Sequence, residues 1–462
     1  MTYDGFAFLP KDSNAPFHFE NGYLELFLGC SHVTFEDNIS ILVGQKRSAM
    51  TGGLMLFHLS LPLENYGVSK TINEEGLTQQ IPASIGNVKQ EVDFYIDKYM
   101  ENTKFTQIQF SFPELDYFIP SSKMGVYFPE ECRVEFLRKP EIIASFPFEY
   151  KGRTVNLILK LSSTYKINVK SYSETVSLLI FEFDETDNLD FILELYHLVQ
   201  SIFSFMCNRQ NIALDSAVLI GKSQRNTNKR SNGTEIVRED VRVLSDLYVL
   251  NRYKEENEDL KVIAKTIRYS TLASNFVGFV SLFLEDKISV VSIHSSRAAR
   301  NLLDLKHCLH ITAAFEYYQR TFLPVISSEG TIQVYDEVKA LVGEYVNAQS
   351  GEKKKRAKRL LSSINPVLSL QDKICKVYNG YDSWMGLKNI LSVYFGEDVS
   401  KLASVANQWR NELAHEKREY EPDYSVISAI RLVEHLNYCI VLRFAGYSDD
   451  IIKEIIEKIL TR

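Results

Sequence analysis

The sequence is short of several things. Its six cysteines, at 30, 132, 207, 308, 375 and 439, are scattered with no C-x-x-C pair. That spacing excludes a disulfide framework, argues against a structural zinc, and suits a reducing cytosol. The N-terminus, MTYDGFAFLPKDSNAPF, has neither the basic start nor the apolar run of a secretory signal. The longest nearly apolar stretch, NFVGFVSLFL at 275–284, is about half a membrane span. A soluble, cytoplasmic protein without membrane contact is therefore expected. Positive charge is also short: the net charge of -7 excludes a chain that coats nucleic acid by bulk electrostatics and leaves room only for a localised RNA site. No internal repeat at a solenoid or propeller period is visible.

What is present divides in two, as expected for 462 residues. The segment TVNLILKLSSTYKINVKSYSETVSLLIFEFDE (154–185) alternates with period two and is rich in β-branched residues, and GYLELFLG and TQIQFSF read the same way. These predict an antiparallel sandwich or barrel, interrupted by one buried helix over 189–210. GKSQRNTNKRSNGTE (221–235) reads as a long polar loop. From about residue 270 proline and glycine thin out and helical periodicity takes over, predicting a bundle of five or more helices. The expected class is an α+β multidomain chain, with a strand-rich unit over 1–268 and an all-α bundle over 269–462.

One stretch carries chemistry. In DVSKLASVANQWRNELAHEKREY, Asp398 is the expected N-cap, and Val399, Leu402, Val405, Ala406, Trp409 and Leu413 recur at the spacing of a buried stripe. At about 100° per residue, His415 and Asn411 share the side away from that stripe. Arg410 falls at its edge, where a long stem can be buried while the guanidinium swings outward. Such a histidine can take a proton from a ribose 2′-hydroxyl or return one to a leaving 5′-oxygen, while an arginine fork holds the phosphate. Asn411 can fix the imidazole tautomer or hold the phosphate. No metal or other cofactor is needed. One helix supplies a single histidine, so a two-fold pairing of two such helices would complete the acid and base. Spacing alone is a weak guide, since Arg300, Asn301 and His307 fit a looser R-x6-H.

The RNELAH stretch, on the penultimate predicted helix of a C-terminal bundle, resembles the R-x4-6-H motif of the HEPN superfamily. The strand-rich half, with LVQSIFSFMCNRQNIALDSAVLI at 198–220, resembles the N-terminal domain of ApeA-like HEPN proteins of bacterial anti-phage defence. The resemblance implies a metal-independent endoribonuclease that acts as a homodimer or higher homo-oligomer, senses a phage trigger, and cuts cellular RNA, tRNA included, to abort infection. By position, Arg410 and His415 match the motif and Asn411 the polar residue after its arginine; no residue of the N-terminal half can be matched. Some HEPN proteins are not nucleases, so a dimerisation or ligand- and protein-binding module is the alternative. A toxin silenced by a partner is a third reading.

Other motifs weigh less. DLKHCLH offers His307, Cys308 and His310 within one turn, but interleaved apolar residues and the lack of a fourth ligand favour helix packing over metal. Glu316, farther along the same helix, can serve as an acid orienting the RNA site. HEKRE lacks the second histidine of a zincin, and GVSKT at 67–71 lacks the glycines of a P-loop. EKKKRAKR (352–359) reads as a basic segment between two predicted helices that can grip RNA phosphates or simply be solvated.

Overall fold

The computed structural model describes residues 2–9, 13–27, 39–46, 54–63, 68–72, 78–82, 87–120, 125–128, 130, 133–136, 141–166, 172–230, 234–250, 260–301, 304–323, 329–363, 368–380, 386–415 and 423–460. It separates into two compact units, Met1–Gln200 with Asn211–Glu258, and Ser201–Gln210 with Asp259–Arg462. The expected division at 268/269 lies close to the break at 258/259, and the stretch 201–210 groups with the helical unit. The layout is α+β, strands first and helices after.

In the first unit, β1 (Thr2–Leu9), β2 (Ser13–Glu20), β3 (Tyr23–Phe27), β4 (Ile39–Lys46), β5 (Leu54–Leu63) and β8 (Asn87–Tyr99) close a ring in the order β8-β3-β2-β1-β4-β5, because β5 pairs back onto β8. Of the two expected architectures, these six strands take the barrel. Alternate residues point inward and fill it: Ala7, Phe17, Phe19, Leu24, Leu26, Leu42, Phe57, Val92 and Tyr95 form one core cluster. Between β5 and β8, β6 (Val68–Ile72) and β7 (Thr78–Pro82) make a small hairpin.

The far end of β8 continues into an open sheet through β16 (Thr234–Val249), β15 (Ser216–Arg230), β9 (Lys104–Phe110), β14 (Tyr172–Thr186), β13 (Arg153–Lys166) and β12 (Glu141–Tyr150). A short ladder, β10 (Gly125–Phe128) with β11 (Arg133–Phe136), lies between β9 and β12 in the chain. Helix α1 (Pro113–Phe118) is tied to β14 by Asp116 and Ser177. Helix α2 (Leu189–Cys207) packs Phe191 on Phe183 and Tyr196 near Phe110, and its Tyr196 hydroxyl donates to the Leu214 carbonyl. The predicted buried helix is thus present.

The predicted polar loop at 221–235 is not a loop over its described length. β15 and β16 pair without interruption from Ser216↔Tyr248 to Arg230↔Thr234. The segment gives no alternation signal because it is polar throughout, yet the backbone ladder needs no apolar side chains to form.

The second unit begins with short turns, α3 (Leu260–Ile263) and α4 (Tyr269–Leu272), then α5 (Phe276–Leu284) and α6 (Arg297–Asn301). The bundle proper is α7 (Leu305–Phe322), α8 (Glu329–Asn347), α9 (Gly351–Ser363), α10 (Leu370–Asn379), α11 (Lys388–Phe395), α12 (Ser400–Ala414), α13 (Tyr424–Phe444) and α14 (Asp449–Ile459). Helix α13 is the hub, buried on nearly every side and packed on α7, α12 and α14. Both α2 and α13 are long and apolar enough to pass a membrane-span test, but 61% and 78% of their apolar windows are buried, which is how core helices behave. α14 follows α13, so the motif helix α12 is not the penultimate one. The basic run 352–359 lies within α9 rather than between helices, since Lys and Arg are good helix formers and Ala357 gives that helix a buried anchor.

Candidate functional site

Helix α12 is built as its stripe requires. Val399, Ala403, Ala406 and Trp409 are buried, with Leu402, Val405 and Leu413 half-buried along the edges. The start differs from expectation by one residue: Val399 is the N-cap, and Asp398 accepts from the Ser400 N–H at 2.8 Å. Across the stripe lies α7, whose Cys308 is buried; burial pushes its thiol up to about 12, against the opposing pull of Trp409 beside it.

On the opposite side the polar residues project as predicted. Arg410 is half-buried, Asn411 exposed, and His415 exposed at the C-cap, where its N–H donates to the Leu413 carbonyl. Among the described residues the His415 ring has no hydrogen-bond partner. Arg410 is firmly placed: Nη2 donates to Glu316 Oε2 at 2.9 Å and Nη1 to Asn411 Oδ1 at 3.2 Å. The other oxygen of Glu316 accepts from Lys373 Nζ at 3.2 Å. One carboxylate on α7 therefore bridges two cations, from α10 and α12.

Among the described residues this arrangement sets two cations against one carboxylate and leaves guanidinium donors unengaged. A guanidinium carries five N–H groups, and Glu316 and Asn411 engage two of them. The remainder, with the Lys373 ammonium, can hold a phosphate beside Asn411 while His415 stands one turn farther along. The structure brings together Arg410, Asn411 and Glu316. His415, at the C-cap of the helix that carries Arg410 and Asn411, is exposed and makes no hydrogen bond to any of the three among the described residues. Lys373 escaped the sequence reading, because nothing in local spacing connects 316, 373 and 410.

The looser R-x6-H has a different fate. Arg300 is buried and holds Glu434 through Nε and Nη2, both at 3.2 Å, and Nη2 also donates to the Leu460 carbonyl. Asn208 Nδ2 donates to the same carboxylate, and His294 Nε2 lies 3.4 Å from it. Burial alone would raise the Glu434 carboxyl, but Arg300 and His294 hold it well below the usual range. His307 stacks on His294 at 3.9 Å between centroids, and burial drives it down to about 4, with His294 adding to the effect. This is a closed structural network. His307, Cys308 and His310 do not converge, and no group able to hold a metal occurs among the described residues.

In the strand-rich unit, Asn102, Lys104, Glu185, Lys222, Ser223 and Asp240 line a polar depression with balanced charges. No family model, curated protein or solved structure matches the chain.

Proposed function

We propose that the helical unit is a metal-independent endoribonuclease of the HEPN type, acting in bacterial anti-phage defence by cutting cellular RNA. The supporting observation is the polar face of α12, where Arg410 is held in place by Glu316 and Asn411, with His415 exposed one turn beyond. In this reading Arg410 and Lys373 bind the scissile phosphate. His415 takes the proton from the ribose 2′-hydroxyl as its oxygen bonds to phosphorus; the bond from phosphorus to the 5′-oxygen breaks, and that oxygen is protonated by a second acid. The products are a 2′,3′-cyclic phosphate and a free 5′-hydroxyl. A second copy of α12 across a two-fold would supply the second acid.

The test is to incubate purified protein with total RNA in EDTA and analyse the ends. Wild type is expected to cut and leave cyclic phosphates. His415→Ala should keep its helical circular dichroism and lose cleavage, and Arg410→Lys should impair it, because a point charge does not reproduce a bidentate fork. A fully active His415→Ala variant overturns the assignment.

A second reading, a non-enzymatic binding or dimerisation module, draws support from the same ion pair, since Glu316 already occupies part of the guanidinium. Under it, no condition yields cyclic phosphate ends.

A further inference from the structure

Helices α8 and α9 are joined by three residues, so they run antiparallel as a helical hairpin, and they pack on each other. The hairpin leaves an apolar stripe uncovered. Val334, Val338, Leu341 and Tyr345 are 58%, 41%, 66% and 58% exposed, and their four-three-four spacing puts them in one line along α8. At about 100° per residue this line lies a quarter-turn from the side of α8 marked by buried Val346. Leu360, 59% exposed, lies about a sixth of a turn from buried Ala357 of α9. In an antiparallel pair those two offsets fall on the same face of the hairpin.

Charge is sorted across this face. Helix α8 carries Glu329, Asp336, Glu337 and Glu344 against Lys339, whereas α9 carries Lys353, Lys354, Lys355, Arg356, Lys358 and Arg359 against Glu352. Glu337 and Glu344 edge the stripe on the side away from α9, and Arg356 and Arg359 edge the opposite side. Crossing the face, one meets acids, apolar residues, then bases, among which Glu352 is paired with Arg356 at 3.4 Å.

We infer that this face binds a second copy of the same chain. A surface that is acidic on one edge and basic on the other complements itself under a two-fold axis running parallel to the hairpin. That operation lays α8 on the partner's α9, antiparallel, with apolar stripes in contact and unlike charges along both edges. A two-fold running across the hairpin would instead set α8 on α8 and acid on acid. The charge pattern therefore selects a four-helix arrangement of the first kind. The surface involves neither α12 nor the Arg410 site, and its test does not depend on any RNA cleavage.

The test measures the mass of the full chain in solution across a concentration series. Wild type should reach at least twice the 53.1 kDa chain mass, and Leu341→Glu should fall to half the wild-type mass with its circular dichroism unchanged. Two charge-reversed proteins, Glu337→Lys with Glu344→Lys and Arg356→Glu with Arg359→Glu, should each dimerise less, yet dimerise with one another when mixed. That mixing result stands even if Leu341→Glu folds poorly. A monomeric wild type, a well-folded Leu341→Glu that keeps the wild-type mass, or reversed variants that fail to associate on mixing overturns the proposal. So does a monomer whose α9 cations instead bind RNA.

Discussion

Glu316 divides its carboxylate between two cations, one oxygen to Lys373 and one to Arg410. With side chains 24% and 37% exposed, the Glu316–Arg410 pair is partly solvated, and pairs of that kind contribute about 1 kcal/mol or less to stability. Its effect belongs to orientation. An arginine that meets solvent on several sides samples many rotamers unless something holds it, and a phosphate clamp must be in place before the phosphorus becomes crowded. Glu316→Gln removes the charge that holds the guanidinium while keeping the side chain's size. Under the nuclease proposal, cleavage in EDTA should fall about tenfold, equivalent to roughly 1.4 kcal/mol in barrier, with the unfolding midpoint nearly unchanged. Unaltered cleavage would show that Arg410 needs no help from α7.

Among the elements, β15 shows best how a backbone constraint can be invisible in side-chain patterning. A Cβ built on Gly221 would stand 2.4 Å from the Lys104 carbonyl oxygen and 2.9 Å from the Phe105 Cα, at the register shift between β15 and β9. Those neighbours are backbone and cannot turn aside. Gly221→Ala is therefore expected to cost about 1–3 kcal/mol, read as a lower urea midpoint in far-ultraviolet circular dichroism; an unchanged midpoint would mean that the ladder yields there without strain. Gly221 opens the segment whose polar composition suggests a loop, and the reason it is a strand is general. Buried Val155, Leu157, Leu159 and Leu161 announce β13 through alternation, and α12 announces itself through Val399, Ala406 and Trp409. The outer part of β15 is recruited by pairing with β16, and α9 by a single buried alanine within a charge run. Helix α14 is legible, since Ile452, Ile455, Ile456 and Ile459 carry the helical spacing and are buried. Barrel closure through β5 and β8, and the meeting of Glu316, Lys373 and Arg410, depend on residues far apart in the chain, which no local pattern encodes.

At the scale of the molecule, ionisable groups buried in the helical unit tie its stability to pH. His435 Nδ1–H donates to the Arg431 carbonyl at 2.7 Å, and the ring lies among those of Tyr394 and Phe395. Burial drives it down to about 4 from the ordinary 6.5, and His307 is driven equally low. Both are neutral in the folded protein at pH 6, where the unfolded chain begins to protonate them. Acid therefore favours unfolding: the stability is present in full above about pH 6.5 and is lost as pH falls towards 4. The slope for a fully buried histidine is about 1.4 kcal/mol per pH unit, with less from half-buried His307. Glu434, held low by Arg300 and His294, acts in the same direction below the ordinary carboxylate range. Both tryptophans, at 384 and 409, belong to the helical half of the sequence, so tryptophan fluorescence reports on that half. Its urea midpoint should stay level from pH 7.5 to 6.5 and then fall steadily to pH 4.5, and His435→Asn should flatten the fall. A midpoint that holds between pH 6.5 and 5 would mean that these imidazoles reach water in the folded state, and that the network around Glu434 is open rather than sealed.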